Sequence, residues 1–233
     1  MLDAIDRRQG ALNAFVYVTP AAELRQAAET LDTELRAGVI RGPLHGIPIA
    51  VKDLLDVAGM PNTASSPVLD HHVSIADAGS VRLVKAAGAL IMGKTHTHEF
   101  SLGVSTPQSR NPWNEQHDPG GSSGGSAIAV ATGMSLGALA TDTRASARVP
   151  AALCGVVGYK PTFGLAPGDG VIMPSWSLDH VGHMAATVED AALLLDVLDP
   201  APHVRYSQGL YKSVQGVRIG VPLAALEGAE AGV

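Results

Sequence analysis

Two serines, Ser122 and Ser146, lie 24 positions apart on segments whose composition suits nucleophilic chemistry. The first sits in Pro119-Gly120-Gly121-Ser122-Ser123-Gly124-Gly125-Ser126, and the second ends Thr141-Asp142-Thr143-Arg144-Ala145-Ser146. A serine hydroxyl is a poor nucleophile until a nearby base takes its proton. Histidine is the first candidate, but the nine histidines are scattered and no Gly-x-Ser-x-Gly elbow presents a serine to one. The local sequence favours Lys52, which ends the apolar run Ile47-Pro48-Ile49-Ala50-Val51. A lysine works as a base only where burial or neighbouring cations depress a pKa that is about 10.4 in water. Strand alternation points Asp53 to the opposite face, away from stabilising the ammonium. A solvated lysine at a strand end is the other reading of the same residue.

Glycines on both sides of Ser122 and Ser123 let the backbone turn sharply and deliver both serines to the N-terminus of a helix beginning near Ser126. One serine there can relay a proton between base and nucleophile; a flexible loop or an anion cradle fits the same residues. A Walker-type phosphate loop is disfavoured, because no lysine follows the glycines. Ser146 stands between an expected strand at 136–141 and a helical turn at Arg148-Val149-Pro150. Such a turn can expose a hydroxyl while adjacent N–H groups point at a developing oxyanion, although a lone serine there also reads as a helix cap. Cys154 reads as a buried core thiol inside the apolar run 151–157. Thr95-His96-Thr97-His98-Glu99 lacks the His-Glu-x-x-His spacing, so no metal is expected. Lys94 and Lys160 follow strand-like segments and read as structural or solvated.

The elements that must position these groups alternate between two periods. Helical spacing of apolar residues marks 21–37, with Gly38 as a stop, then 78–88, 126–132 and 188–198, and Pro150-Ala151-Ala152-Leu153 forms a short helical turn. Short apolar runs at 46–51, 89–92, 136–141 and 155–158 read as strands. Strands alternating with helices imply an α/β sandwich around a central sheet. A further strand is expected at Val217-Arg218-Ile219-Gly220-Val221-Pro222, so close to the last residue that the fold is expected to be incomplete.

At 233 residues, with no internal repeat and no linker, the chain is expected to form one domain over 1–233. Its formal net charge of -6 and the lack of a basic run argue against nucleic acid as a partner, since phosphate binding needs clustered Lys and Arg. No apolar stretch reaches the roughly 18 residues of a membrane span. The N-terminus, Met1-Leu2-Asp3-Ala4-Ile5-Asp6-Arg7-Arg8, lacks the apolar core of a signal peptide, so the expected location is cytoplasmic and no membrane partner is expected.

Four blocks then occur in order: Gly46 to Leu55; Gly93-Lys94-Thr95 with Glu99-Phe100; Asn111-Pro112-Trp113-Asn114 through Ser126; and Thr141 to Ser146 running into Cys154-Gly155-Val156-Val157-Gly158-Tyr159-Lys160-Pro161-Thr162. With Ser177-Leu178-Asp179-His180-Val181-Gly182, they resemble the conserved core of the amidase signature hydrolases over almost the whole chain. The resemblance implies an α/β fold with a central mixed β-sheet flanked by helices. It also implies a Ser-cisSer-Lys triad: Ser146 as the acylated nucleophile, Ser122 as a bridging serine on a cis peptide, and Lys52 as the ultimate base. Ser122 is preferred to Ser123 by its spacing from Ser146. Backbone N–H groups around Thr143, Arg144, Ala145 and Ser146 would form the oxyanion hole, so Thr143, Arg144 and Ala145, with Ser123, are the expected substrate-binding residues. The implied reaction is hydrolysis of a small-molecule amide through an acyl-enzyme, without metal or cofactor.

The sequence departs from the family at several points. Arg144 and Ala145 stand where two glycines are usual, His96 where asparagine is common and His183 where proline is common. A positive φ at Arg144 or Ala145 would cost energy. Arg144 either projects into the site to select an anionic substrate or forms an outward salt bridge. Family members are about twice as long, so the chain looks like a catalytic half, to be completed by a C-terminal half or by oligomerisation. A glutamine-hydrolysing A subunit of a tRNA-dependent amidotransferase and an inactive binding or scaffold protein are the alternative readings.

Overall fold

The computed structural model describes residues 1–201 and 205–220. Helix α1 (Leu2–Leu12) leads into strand β1 (Phe15–Val18), and α2 (Ala21–Arg36) precedes β2 (Pro48–Lys52). Then come α3 (Gly79–Ala86), β3 (Leu90–Thr95), α4 (Gly124–Ala131), β4 (Gly137–Asp142), α5 (Arg148–Cys154), β5 (Val157–Tyr159), β6 (His180–Ala185), α6 (Val188–Leu198) and the short α7 (Tyr206–Gly209). The strands form one mixed six-stranded sheet in the order β1-β3-β2-β4-β6-β5. The central three, β3, β2 and β4, run parallel, and the flanking pairings are antiparallel.

The period-2 pattern of β2 decides which side each residue faces. Ala50 joins one buried cluster with Leu12, Phe15, Met92, Ile128 and Met184, covered by α1, α4 and α5. Ile49 and Val51 join the opposite cluster with Val81, Val84, Leu139 and Leu194, covered by α3 and α6. Both faces of the sheet are therefore buried, which is why the central strands read as continuous apolar runs. Among the described residues no helix is long and apolar enough to cross a membrane.

The expected elements up to α6 are found with shifted ends, and two of those shifts matter. β2 extends to Lys52 and β3 to Thr95, so Lys52 and Lys94 lie inside strands and are fully buried. Lys94, read from sequence as structural or solvated, is structural: its ammonium pairs with Asp53 Oδ1 at 3.0 Å. Helix α1 and strands β1 and β6 have no counterpart in the sequence reading. α1 buries only Ile5 and Leu12, and β6 interrupts its apolar residues with His180, Gly182 and His183. Burial pushes His183 down to about 4 and keeps it neutral, while its Nε2–H donates to the Ala191 carbonyl at 2.8 Å. The strand expected at the end of the chain is not formed over Val217–Gly220, which is irregular, exposed and paired with no strand among the described residues; Val221 and Pro222 lie outside the described residues.

Gly125 shows why the glycines that precede Ser126 are required. A Cβ there would meet His96 N at 2.6 Å and come closer still to the Ala14 carbonyl oxygen, because the first turn of α4 packs directly on the β1–β3 backbone. The Gly125 N–H donates to His96 O at 3.2 Å across that contact. Helix propensity alone would favour Gly125→Ala by about 1 kcal/mol. The collision with rigid backbone reverses the sign: the variant is expected to lose about 1–3 kcal/mol of stability. A denaturant melt reads this directly, and a stabilised variant would show that α4 can move away from the sheet.

Candidate active site

Lys52 ends β2 beside the end of β4, because the parallel register pairs Val51 with Leu139. Its Nζ lies 2.7 Å from Ser122 Oγ, 2.7 Å from Thr141 Oγ1 and 3.1 Å from Ser101 Oγ. Burial pushes the Lys52 ammonium well below its usual range, against Asp179 and Asp142, which favour the charge. The contrast with Lys94 is chemical. Lys94 is also pushed down by burial, with Asp53 opposing, but its three partners are the Asp53 carboxylate, the Pro61 carbonyl and the Asn62 side-chain oxygen. All three can only accept, so they need the three donors of an ammonium. Each partner of Lys52 is a hydroxyl, which can donate as well as accept, so a neutral amine is equally well satisfied.

Ser122 is held on a cis peptide following Gly121. A Cβ on Gly121 would fall 2.6 Å from Ser105 N, so the loop packs where only glycine fits. The Ser122 carbonyl accepts from His98 N–H at 3.0 Å, and Ser122 Oγ also meets Ser101 Oγ at hydrogen-bonding range. Ser123 is fully buried; its hydroxyl donates to the Thr141 carbonyl at 3.2 Å and its N–H to the Ser146 carbonyl at 3.1 Å. That last bond ties the loop of Ser122 to the loop of Ser146.

Ser146 lies between β4 and α5, 7% exposed, on a cleft of about 510 Å³ that is also lined by Ser101, Val104, Thr143, Arg144 and Ala145. Its Oγ makes no hydrogen bond to Ser122 or Lys52. Lys52 and Ser122 are thus in direct contact, and Ser146 joins them through the backbone. The N–H groups of Thr143, Arg144, Ala145 and Ser146 donate to no acceptor among the described residues, which leaves four donors at the loop. Arg144 and Ala145 hold negative φ, so replacing the usual glycines introduces no backbone strain here. Arg144 is exposed and has no ion-pair partner among the described residues.

Asp142 and Asp179 brace this loop from either side. Thr143 Oγ1 donates to Asp179 Oδ1, and Asp179 Oδ2 accepts from Ser175 N–H at 3.0 Å. Asp142 receives Arg148 Nε and Nη2, each at 3.0 Å, and the Ala147 N–H at 3.2 Å. Burial pushes the Asp142 carboxyl up, but the Arg148 guanidinium and the Ala147 N–H outweigh it and hold it below its usual range. A carboxylate with a depressed folded pKa stabilises fully above its unfolded value of about 3.9, and that contribution is lost as pH falls through the folded value. Asp142→Asn is therefore expected to cost about 1–3 kcal/mol at pH 7, discounted because half of the Arg148 side chain faces solvent. Denaturation at pH 7 and pH 3 should show the gap from wild type closing at low pH; an unchanged gap would mean that the carboxylate charge is not what braces the loop.

Sequence reasoning missed Ser101 and assigned Thr141 no role, although both contact Lys52. Thr141 precedes Asp142 at the strand end and could have been flagged; nothing local marks Ser101. Of the histidines of 95–99, His96 Nδ1 lies 3.3 Å from Ser65 Oγ, and His98 Nδ1 lies 3.3 Å from the Glu99 carbonyl. Cys154 is buried, and burial pushes its thiol up to about 12, as expected for an inert core group.

A family model described as Amidase matches residues 1–229. An amidase from Pseudomonas putida is 50% identical over 223 residues, covering 91% of this chain and 47% of its own length. The A subunit of the glutamyl-tRNA(Gln) amidotransferase of Carboxydothermus hydrogenoformans is 41% identical over 247 residues, covering 99% of this chain and 51% of its own length. The structure of a peptide amidase from Stenotrophomonas maltophilia superposes with a TM-score of 0.80 at 38% identity, covering 91% of this chain and 45% of that one. The chain spans about half the length of the curated relatives it matches.

Proposed function

The chain belongs to the amidase family, and from that premise we propose that it carries the catalytic centre of an enzyme that hydrolyses a small carboxamide to a carboxylate and ammonia or amine. The observation that supports this most is the buried lysine surrounded by hydroxyls, an environment that suits a neutral amine poised as a base. In this reading Ser146 Oγ attacks the amide carbonyl, its proton passes to Ser122 Oγ, and the Ser122 proton passes to Lys52 Nζ. The carbonyl oxygen gains charge against the unpaired N–H groups of 143–146. The proton returns to the leaving nitrogen, and water then cleaves the acyl-serine by the same route.

Arg144, exposed in the cleft without an ion-pair partner among the described residues, suits an amide that carries an anionic group. The similarity to amidotransferase A subunits favours a second reading, glutamine hydrolysis supplying ammonia to a partner. Ammonia release should be measured on a panel of neutral and anionic carboxamides including glutamine, using the complete reading frame that encodes these residues. Turnover of simple amides by the purified protein supports an independent amidase. Glutamine turnover that appears only with co-purifying subunits supports the second reading, and no ammonia from any amide would leave a binding role.

A further inference from the structure

Ser101 occupies a position that the catalytic scheme above does not use. Its Oγ lies 3.1 Å from Lys52 Nζ and within hydrogen-bonding range of Ser122 Oγ, so the three atoms close a hydrogen-bonded triangle. The backbone is bent to achieve this. Phe100 and Ser101 have φ of 47° and 63°, left-handed values that cost energy in non-glycine residues, and the Phe100 N–H is anchored on the Ala64 carbonyl at 3.0 Å. Ser101 also lines the cleft that holds Ser146.

We propose that Ser101 is a positioning residue that sets the direction of the Ser122 proton and supports the charged form of Lys52 once the proton arrives. This rests on Lys52 acting as the base. With Lys52 neutral, its two N–H donors go to Thr141 and Ser101, and its lone pair accepts the Ser122 hydroxyl. The Ser101 hydroxyl then donates to Ser122 Oγ, which keeps the Ser122 proton aimed at Lys52. With Lys52 protonated, all three hydroxyls accept from the ammonium. The other charged groups that act on Lys52 are Asp142 at the end of β4 and Asp179 before β6; Asp53, next in the chain, is committed to Lys94.

A hydroxyl that accepts from an ammonium favours the charged form, so removing it lowers the pKa of the base. The activity that requires neutral Lys52 then extends to lower pH. Two variants separate hydroxyl from backbone: Ser101→Ala removes the hydroxyl, and Ser101→Gly also relieves the left-handed conformation. The readout is the rate of labelling by a fluorophosphonate probe against pH, with the complete reading frame. In both variants the acid limb is expected to move down by about one pH unit and the plateau rate to fall about tenfold, as for loss of part of a proton relay. An acid limb that stays in place in both variants, or moves in only one of them, overturns the role assigned to the hydroxyl. If Lys52→Met labels with the wild-type rate and pH dependence, the failure lies with Lys52 as base, and the inference falls with it.

Discussion

Ser146→Ala is expected to abolish covalent labelling by a fluorophosphonate probe and to lower amide turnover by about 10⁴-fold or more, the scale seen when a serine nucleophile is removed. The side chain is small and 7% exposed at the edge of a cleft, so losing one hydroxyl leaves the packing almost unchanged and the melting temperature should hold. Ser122→Ala should retain Ser146 and lose about 10² to 10⁴ in rate, because the relay is broken while the nucleophile survives. Mass spectrometry of the labelled protein locates the adduct. Label on Ser122 in the Ser146→Ala variant, at the wild-type rate, would reverse the roles assigned to the two serines.

Lys52→Met should be nearly as damaging, with a loss of about 10² to 10⁴ in turnover and little change in folding. Methionine fills the buried volume, and two of the three hydroxyls that faced Nζ, those of Ser101 and Ser122, already bond to each other. Lys52→Arg is the informative partner. A guanidinium stays protonated at any accessible pH, so it supplies charge without basicity. Turnover near wild type in Lys52→Arg would mean that this position contributes a cation, and the base would have to be sought elsewhere. The wild-type profile carries the same sign. Because burial drives the Lys52 pKa downward, turnover should rise with pH on an acid limb well below the pKa of about 10.4 of a free lysine, and fall as pH drops and the amine is protonated.

Much of the scaffold could be read from local pattern. The apolar run ahead of Lys52, the small-residue helix after Gly124-Gly125 and the helix over Val188–Leu198 depend on hydrophobic spacing within a few turns or pleats, which a single sequence displays. The polar helix α1 and strand β6 were not legible, because their burial is decided by neighbours and their own residues do not alternate. The two serines and Lys52 were legible as residue types at a spacing, whereas the sequence set Lys94 apart as structural or solvated without showing that it is as fully buried as Lys52.

The sequence alone determined which groups were available: a lysine at a strand end, two serines among glycines or beside a helix start, and no histidine placed to serve them. Tertiary structure decided which lysine is surrounded by partners that also suit a neutral amine. The strand order β3-β2-β4 brings Lys52 against Ser122 and Thr141, 70 and 89 residues away, and a left-handed turn adds Ser101 from 49 residues away. The next strand carries Lys94 into a cage of pure acceptors instead. Both ammonium groups are buried, so burial alone does not separate them. The difference lies in whether the partners can reverse their hydrogen bonds, and that depends on side chains that only the folded chain brings together.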